Sequence, residues 1–410
     1  MAITLGIFLA TYLAMALGRL PGFRVDRTGA ALLGGIAMLV FGKIDSQAAW
    51  ASIDFPTIAL LFGLMIVSGA FSVSGFYAWV AVRAATLDLS PRALLAVMIV
   101  TSGVLSSLLT NDVVVVAMVP LLVNLCQARG LNPTPFLLGF AFAANAGSAG
   151  TIIGSPQNMI IAEGLHLSFV GFMKGALVPA LLSLPVIWAV LVALYRHRWQ
   201  ATGVSPDGSG AMQAPPPLDV AETAKATLVT VAVVAAFSLP DWPRHLVALA
   251  AAATLLLNRR IAASNVMKHV DGDLLILLGG LFVVNAAFAT TGLPQRAMAD
   301  LVAGGVDLLH PLSLLVVIGI LSDIVGNNPA VMLVVPYVTG ADPELAGAAL
   351  ALGTGLASNV VVFGSLAGII AAEEAAKAGA PISLSEFSIA GLPVSLATMA
   401  IAAAWIVLLA

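Results

Sequence analysis

Residues 103–112 read GVLSSLLTND, and residues 319–328 read GILSDIVGNN, which is nearly the same pattern in the second half of the chain. Both segments are polar interruptions inside apolar stretches, and a proline follows each of them, at Pro120 and Pro336. Matching breaks in the hydrophobic segments of two repeats are the best sequence sign of a membrane transporter's binding site. The sequence therefore predicts a duplicated membrane protein.

The composition requires a lipid environment. Of the 410 residues, 60% are hydrophobic and 9% are charged, and the mean hydropathy is +1.06. A chain of this composition could not maintain a fully water-exposed surface. The net charge of −3 gives no sign of a nucleic-acid partner. The single cysteine, Cys126, excludes an internal disulfide and a multi-thiolate metal site.

The hydrophobic pattern predicts an all-α polytopic membrane protein with five spanning helices in each half. In the first half we expect spans at residues 2–18, 29–43, 55–74, 134–164 and 170–195. In the second half we expect them at residues 224–239, 244–257, 273–291, 344–375 and 387–409. The fourth span of each half, 134–164 or 344–375, is interpreted as a broken helix. Residues 93–127 and 311–340, which contain the repeated pattern, are interpreted as re-entrant helical hairpins.

These segments define the predicted organisation. Residues 1–196 form the first membrane repeat, residues 197–222 a polar cytoplasmic linker, and residues 223–410 the second repeat. Because five is an odd number of crossings, the second repeat must be inverted relative to the first. The basic residues of the loops are distributed as expected for an N-terminus outside a bacterial inner membrane.

The duplication extends beyond the hairpins. Seven positions between Asp54 and Gly75 are identical to positions between Asp271 and Gly292, all with the same offset in residue number. The Gly-Ser pair at residues 154–155 returns at 364–365, and Glu163 matches Glu373 with the same offset as that pair. Three matched segments in the same order indicate a duplication and not a chance similarity.

The turns of the two hairpins carry the first group of candidate site residues. Thr110, Asn111, Asn327 and Asn328 lie where backbone at membrane depth is tolerated only if it is buried in protein or lines a cavity. Their oxygens suit a hard cation, and the helix starts that follow suit an anion. We predict that they bind substrate. The alternative is simple helix capping, which these residue types also favour.

Two carboxyl groups are the candidates for ion coupling. Asp112 and Asp323 lie in membrane segments, where an ionisable side chain is costly and is a functional candidate by default. Desolvation favours the neutral form of a carboxyl group, which suits a proton carrier, whereas a shell of oxygens around a carboxylate suits Na⁺. The sequence does not choose between H⁺ and Na⁺. For Asp323 a purely structural hydrogen bond within the hairpin is the alternative.

The breaks of the fourth spans supply the second group. Gly and Pro unwind a helix, while Ser, Thr and Asn replace the backbone hydrogen bonds that unwinding frees. We predict substrate contacts from Ser155, Gln157, Asn158 and Ser365, and coupling-ion contacts from Ser148, Thr151, Ser358 and Asn359. The alternative for Gly147, Gly150 and Gly364 is close helix packing.

At these motifs the chain resembles the ion transporter superfamily, which includes arsenite permeases, Na⁺/H⁺ antiporters, citrate carriers and divalent anion/sodium symporters. The LTND, GSPQN and GNNPA segments, which begin at Leu109, Gly154 and Gly326, are most similar to the arsenite permease and anion permease branch. They differ from the Ser-Asn-Thr signature of the symporter branch. The resemblance implies two inverted repeats, an elevator-like motion and a homodimer. A soluble ATPase partner is implied only for a protein like an arsenite pump.

The function expected from these features is secondary active transport of a small anion or oxyanion, coupled to H⁺ or Na⁺. The alternatives are a Na⁺/H⁺ antiporter and an arsenite or antimonite efflux permease. The sequence has no phosphate-binding loop, metal-binding histidine pair or nucleophile with its base, so we do not expect an enzyme. No cofactor is expected other than a bound Na⁺. The partners expected are the transported solute and membrane lipid.

Overall fold

The computed structural model describes residues 1–200, 217–239 and 242–410, and these residues form α-helices and two short 3₁₀ helices. The helices of the first half are α1 (Ala2–Leu17), α2 (Arg27–Val40), α3 (Ser46–Ser52), α4 (Phe55–Val73), α5 (Phe76–Ala85), α6 (Pro91–Leu108), α7 (Asn111–Ala128), α8 (Pro133–Ala149), α9 (Pro156–Gly164) and α10 (Phe169–Leu194). Those of the second half are α11 (Val220–Phe237), α12 (Arg244–Leu256), α13 (Ala263–Met267), α14 (Gly272–Ala289), α15 (Leu293–Ala303), α16 (Pro311–Val325), α17 (Asn327–Val334), α18 (Pro343–Ala357), α19 (Leu366–Lys377) and α20 (Leu384–Leu409).

The second ten helices repeat the first ten in order. A short helix (α3 or α13) precedes each third span (α4 or α14), and a connecting helix (α5 or α15) leads from that span to a hairpin of two helices (α6 and α7, or α16 and α17). Each broken span consists of two helices, α8 and α9 or α18 and α19, separated by an unwound loop. The short 3₁₀ helices, Val335–Tyr337 and Val362–Gly364, lie in the second half.

The outer surface of the helix bundle is apolar. Seven of the described helices are long and apolar enough to cross a membrane, namely α4, α6, α7, α10, α11, α14 and α20. Four shorter apolar helices, α1, α2, α12 and α16, join them. Large hydrophobic side chains such as Leu181 on α10 and Leu396 on α20 are more than half exposed. Side chains of this kind need lipid around them, so the chain is an integral membrane protein.

The two halves exchange contacts across the centre of the molecule. Helix α2 packs against α14, and in the equivalent relation α12 packs against α4. A Cβ atom on Gly280 would lie 2.5 Å from the backbone of Ala31, and one on Gly63 would lie 2.6 Å from the backbone of Ala248. The two glycines are equivalent in the duplication, and so are the two alanines. Two repeats related by a two-fold axis make such exchanged contacts; the inversion itself stays a prediction.

A third close crossing joins the first hairpin to the first broken span. Helices α6 and α8 meet at Gly103 and Gly147, where a Cβ on Gly147 would overlap the Gly103 backbone. Small residues at a crossing allow membrane helices to pack tightly. This is the packing alternative named for Gly147 above.

We expect Gly147→Ala to destabilise the protein by about 1–3 kcal/mol, because the two backbones must separate to admit a methyl group. The matched control is Gly279→Ala on α14, where nothing lies within 4 Å of the new Cβ. Thermal unfolding of both variants in detergent measures the difference. Equal melting temperatures would mean that this contact is not tight.

Several connecting helices were not expected from the sequence. Helices α3 and α13 are too short to show a clear period, and α5 and α15 mix apolar with charged residues after a left-handed glycine, Gly75 or Gly292. Most of the predicted linker, residues 197–222, lies outside the described part of the chain, which leaves out residues 201–216. Its last residues, from Val220, begin α11.

Candidate functional site

The tip of the first hairpin is the two-residue gap between α6 and α7. Thr110 is the N-cap of α7, and both its backbone N–H (2.9 Å) and its hydroxyl (3.0 Å) donate to Ser68 Oγ on α4. The next residue, Asn111, donates its backbone N–H to the carbonyl of Gly154 in the unwound loop, at 3.0 Å. These bonds hold the start of α7 beside the break of the fourth span.

The tip of the second hairpin is a single residue, Gly326, with φ 91° and ψ 157°. Only glycine adopts this backbone conformation without strain, so one residue suffices to join α16 to α17. Asn327 and Asn328 are then the first two residues of α17. The first tip has no glycine, and it makes its turn with extended backbone at Leu109 and Thr110.

In the first unwound loop, residues 150–155, side chains make hydrogen bonds to backbone groups that the helix no longer pairs. Asn158 donates from Nδ2 to the carbonyls of Ser148 and Thr151, both at 2.8 Å. Thr151 Oγ1 donates to the carbonyl of Ser107 on the hairpin, at 2.6 Å, and accepts the N–H of Gly154 at 3.1 Å. Three of the predicted site residues therefore build the loop, which is the condition for non-helical backbone inside a membrane.

The second unwound loop is tied to the first repeat by Asn145 of α8. Its Nδ2 donates to Asn359 Oδ1 at 2.9 Å and to Ser365 Oγ at 3.1 Å, and Asn145 is 2% exposed. Ser365 also caps α19 by accepting the N–H of Gly368 at 2.9 Å. Asn145 was not predicted as a site residue. A polar residue in the middle of an apolar helix was the available signal.

The two tips and the two loops surround a cavity of about 550 Å³, counting its opening to solvent. Its polar wall includes six of the predicted site residues: Asn111, Asp112, Gln157, Asn327, Asn328 and Ser365. Residues in the first turns of four helices, α7, α9, α17 and α19, line it. The first N–H groups of a helix have no partner within the helix, and the helix start is the positive end of its dipole. The cavity wall is therefore suited to an anion.

The other predicted residues lie outside the cavity lining. Thr110, Ser155, Asn158, Ser148, Thr151, Ser358 and Asn359 are buried around it. Asp323 is half-buried, and its Oδ1 faces Gly364 of the second loop. The structure therefore separates the predicted set into residues that line the cavity and residues that pack behind it.

Oxygen atoms converge behind each tip. A Cβ on Gly154 would lie 2.5 Å from the Ser148 carbonyl oxygen and 2.6 Å from that of Ser106. In the second repeat a Cβ on Gly364 would lie 2.7 Å from Asp323 Oδ1 and 3.2 Å from the Ser358 carbonyl oxygen. A side chain at either glycine would therefore collide with these oxygens.

Many of the polar atoms in this region are buried without a hydrogen-bond partner. Within the described residues they include Ser106 Oγ, Asn111 Oδ1, Asp112 Oδ2, Ser155 Oγ, Asn158 Oδ1, Asp323 Oδ1, Asn327 Oδ1 and Asn328 Oδ1. Buried oxygens without donors are costly unless a ligand satisfies them. Carboxylate, amide, hydroxyl and carbonyl oxygens are the donors that a hard cation prefers. The donor set therefore fits Na⁺, and the carboxyl groups equally fit H⁺.

Arg27 is a cavity residue that is absent from the predicted set of site residues. It is the first residue of α2 and lines the cavity beside the second tip. Its Nε donates to the Met15 carbonyl at 2.9 Å and its Nη2 to the Phe363 carbonyl at 3.4 Å. Within the described residues it has no carboxylate partner. The cavity thus contains a positive charge that the motifs themselves lack.

Comparisons with known proteins agree with this architecture. A crystal structure of the YdaH transporter from Alcanivorax borkumensis matches with a TM-score of 0.56 and 17% identity, covering all of this chain and 96% of the other. This match concerns the fold alone. An uncharacterized transporter of Mycobacterium tuberculosis is 30% identical over 408 residues, which is 93% of this chain and 92% of the relative. The silicon efflux transporter LSI3 of Oryza sativa subsp. japonica is 27% identical over 429 residues, 87% of each chain.

The family model described as "Citrate transporter" matches residues 12–357, which contain both hairpins and end with α18. The expected resemblance to the ion transporter superfamily is thereby confirmed, as is the expectation that the protein is not an enzyme. The chain belongs to the citrate transporter family of membrane transporters.

Proposed function

We propose that the protein is a secondary active transporter of a small anion or oxyanion, coupled to H⁺ or Na⁺. The observation that carries this proposal is the cavity in which Arg27 and the starts of four helices come together. Helix N-termini and a guanidinium group both favour negative charge. The predicted site residues include no positively charged side chain, and the arginine supplies one.

The coupling ion binds at Asp112 and Asp323 in this proposal. Asp112 is 5% exposed, and neither carboxyl group has a basic partner within the described residues. An unpaired carboxylate at membrane depth is costly, so each needs a proton or a cation. Asp112 also lines the cavity, whereas Asp323 lies against the second loop. A bound cation at Asp112 would therefore lie next to the anion and favour its binding.

The transport step in this proposal is an elevator-like motion. The part that moves comprises the two hairpins and the two broken spans, α6–α9 and α16–α19, which together contribute most of the cavity wall. Arg27, Met15, Leu274 and Leu277 line the cavity from α1, α2 and α14, which stay in place. Motion of one part past the other exposes the same site to each side in turn.

A second candidate substrate class is a weakly acidic hydroxide, such as silicic or arsenous acid, carried without charge. The observation that favours it is the row of unpartnered amide and hydroxyl oxygens, which can accept hydrogen bonds from a neutral solute. The relative named as a silicon efflux transporter is consistent with this class. Na⁺/H⁺ antiport at Asp112 and Asp323 alone is the third candidate, and it gives no role to Arg27.

Currents on a solid-supported membrane test these candidates. The purified protein in liposomes would be exposed to citrate, succinate, phosphate, sulfate, arsenite and silicic acid, each with and without Na⁺ and with a pH step. We expect a current that needs one anion together with one cation gradient. Currents from Na⁺ or pH steps alone, indifferent to every anion, would refute the anion proposal. Flux of silicic acid or arsenite without current would select the neutral hydroxide.

A further inference from the structure

Two arginines and two glutamates occupy equivalent positions in the repeats. Arg27 and Arg244 are the first residues of α2 and α12, and their offset in residue number is that of the other matches in this region, such as Asp54 with Asp271. Glu163 and Glu373 lie near the ends of α9 and α19, and they share the offset of the loop motifs that precede them. The duplication thus contains two copies of one arginine and one glutamate.

The two copies have different partners in this structure. Arg244 Nη2 lies 2.9 Å from Glu163 Oε1, an ion pair in which both side chains are largely buried, at 14% and 17% exposure. Arg244 also donates from Nη1 to the Leu167 carbonyl at 2.6 Å and from Nη2 to the Ala162 carbonyl at 3.5 Å, which lie at the end of α9. Glu163 Oε1 accepts no hydrogen bond within the described residues, so the pair is held by charge.

Arg27 does not repeat these contacts. It faces the cavity and donates to the Phe363 carbonyl of the second unwound loop instead. Glu373 is exposed, and none of the ion pairs among the described residues includes it. Arg244 therefore contacts the C-terminal end of α9, whereas Arg27 lies close to the N-terminal start of α19.

We propose that these residues form an alternating pair of latches: Arg244–Glu163 closes in the state seen here, and Arg27–Glu373 closes in the state that opens to the opposite side. The proposal rests on the alternating-access transport proposed above. In two repeats related by an axis in the membrane plane, exchanging their conformations gives the opposite-facing state. In that state the cavity lies beside Arg244, which contacts the carbonyl of Ile153, the equivalent of Phe363.

The size of the motion follows from helix geometry. Arg27 now lies beside Phe363 and must come to lie beside Glu373, near the opposite end of α19 from the N-cap Ser365. At a rise of about 1.5 Å per residue, α19 must move by about 12 Å along its axis relative to α2. Glu163 lies at the same spacing from Ser155, so both latches require the same displacement.

The exchange has a consequence for the substrate. In each state one arginine is paired with its glutamate on the closed side, and the other arginine faces the cavity. An anion therefore meets an arginine from whichever side it enters. One ion pair is broken for each that forms, which keeps the two states close in energy.

Cysteine cross-linking tests the proposal without knowledge of the substrate. In a background in which Cys126, the only native cysteine, is replaced by Ser, Arg244→Cys/Glu163→Cys and Arg27→Cys/Glu373→Cys would be treated with a short thiol cross-linker in liposomes. We expect both pairs to cross-link, each blocking the transition to the other state. The matched control is Arg27→Cys/Glu374→Cys, because Glu374 is bound to Lys377 on another side of α19. Cross-linking of the Arg244 pair alone, with the Arg27 pair no better than this control, would overturn the proposal.

A second measurement tests the latches even if the double-cysteine variants fold poorly. A single cysteine at the cavity residue Leu366 would be labelled with a membrane-impermeant maleimide from the side on which the cavity opens. Glu163→Gln should lower the labelling rate by about five-fold and Glu373→Gln should raise it, since each removes one latch. Glu374→Gln should leave it unchanged. A shift in the same direction for both variants would refute the latches. If both pairs cross-link but no anion gives a current, the anion proposal fails and the latches stand.

Discussion

Asp112→Asn is expected to abolish coupled transport and leave a folded protein. Asparagine has nearly the same shape and keeps the start of α7, but it can neither carry a proton nor give a cation a full negative charge. Coupling free energies between two bound ligands are typically about 1–3 kcal/mol, so uptake driven by the cation gradient should fall by about 5- to 150-fold. The measurement is uptake of the solute that responds in the current assay, with and without a Na⁺ or pH gradient.

The control for this variant is Asp300→Asn, which removes an exposed carboxylate on α15 outside the cavity lining. It should leave uptake and its dependence on the gradient unchanged. Asp323→Asn measures separately what the second repeat contributes. If Asp112→Asn retains normal uptake with normal dependence on both cations, Asp112 is not a coupling residue.

Arg27→Gln is expected to weaken binding of an anionic substrate by about 10- to 100-fold, because hydrogen bonds to charged groups contribute about 1.5–3 kcal/mol. Arg27→Lys should lie between Arg27→Gln and the original protein, since lysine keeps the charge and loses the planar donor geometry. The measurement is the KM for substrate entering from the side on which the cavity opens. An exposed neighbour, Arg24, supplies the control as Arg24→Gln.

This experiment also separates the substrate classes. A neutral hydroxide would bind Arg27→Gln almost as well as the original protein, whereas an anion would not. Loss of the proposed Arg27–Glu373 latch is distinguished by Glu373→Gln, which removes the latch and leaves the guanidinium in the cavity. If Arg27→Gln binds every anion normally, the cavity does not use this charge and the anion proposal loses its main support.

The outline of the cavity was predictable because its signals are local. A break at Gly326, or an unwound loop at residues 150–155, needs glycine, proline and small polar residues at that point of the chain, and these stand out in an apolar segment. Six of the fourteen predicted residues line the cavity. The role of each residue in transport stays a prediction.

Which polar residues face the cavity was not predictable. Thr110 and Asn111 are neighbours in the sequence, yet Thr110 binds Ser68 of α4 and Asn111 lines the cavity. The difference depends on where α4 passes behind the hairpin, and the sequence of the tip does not indicate the position of α4. Asn145 was missed for the same reason, since its partners, Asn359 and Ser365, belong to the other repeat.

Local signals in the sequence established the membrane environment, the duplication and the positions of the hairpins and breaks, because hydropathy and helix-breaking residues act over one or two turns of chain. Only packing between distant segments established that Arg27 lies at the cavity, that Arg244 pairs with Glu163, and that α2 packs on α14 while α12 packs on α4. Arg27 and Arg244 are the same residue at equivalent positions, so no local rule could distinguish them. Their different partners depend on how distant segments pack together, which is a property of the folded molecule and not of either segment alone.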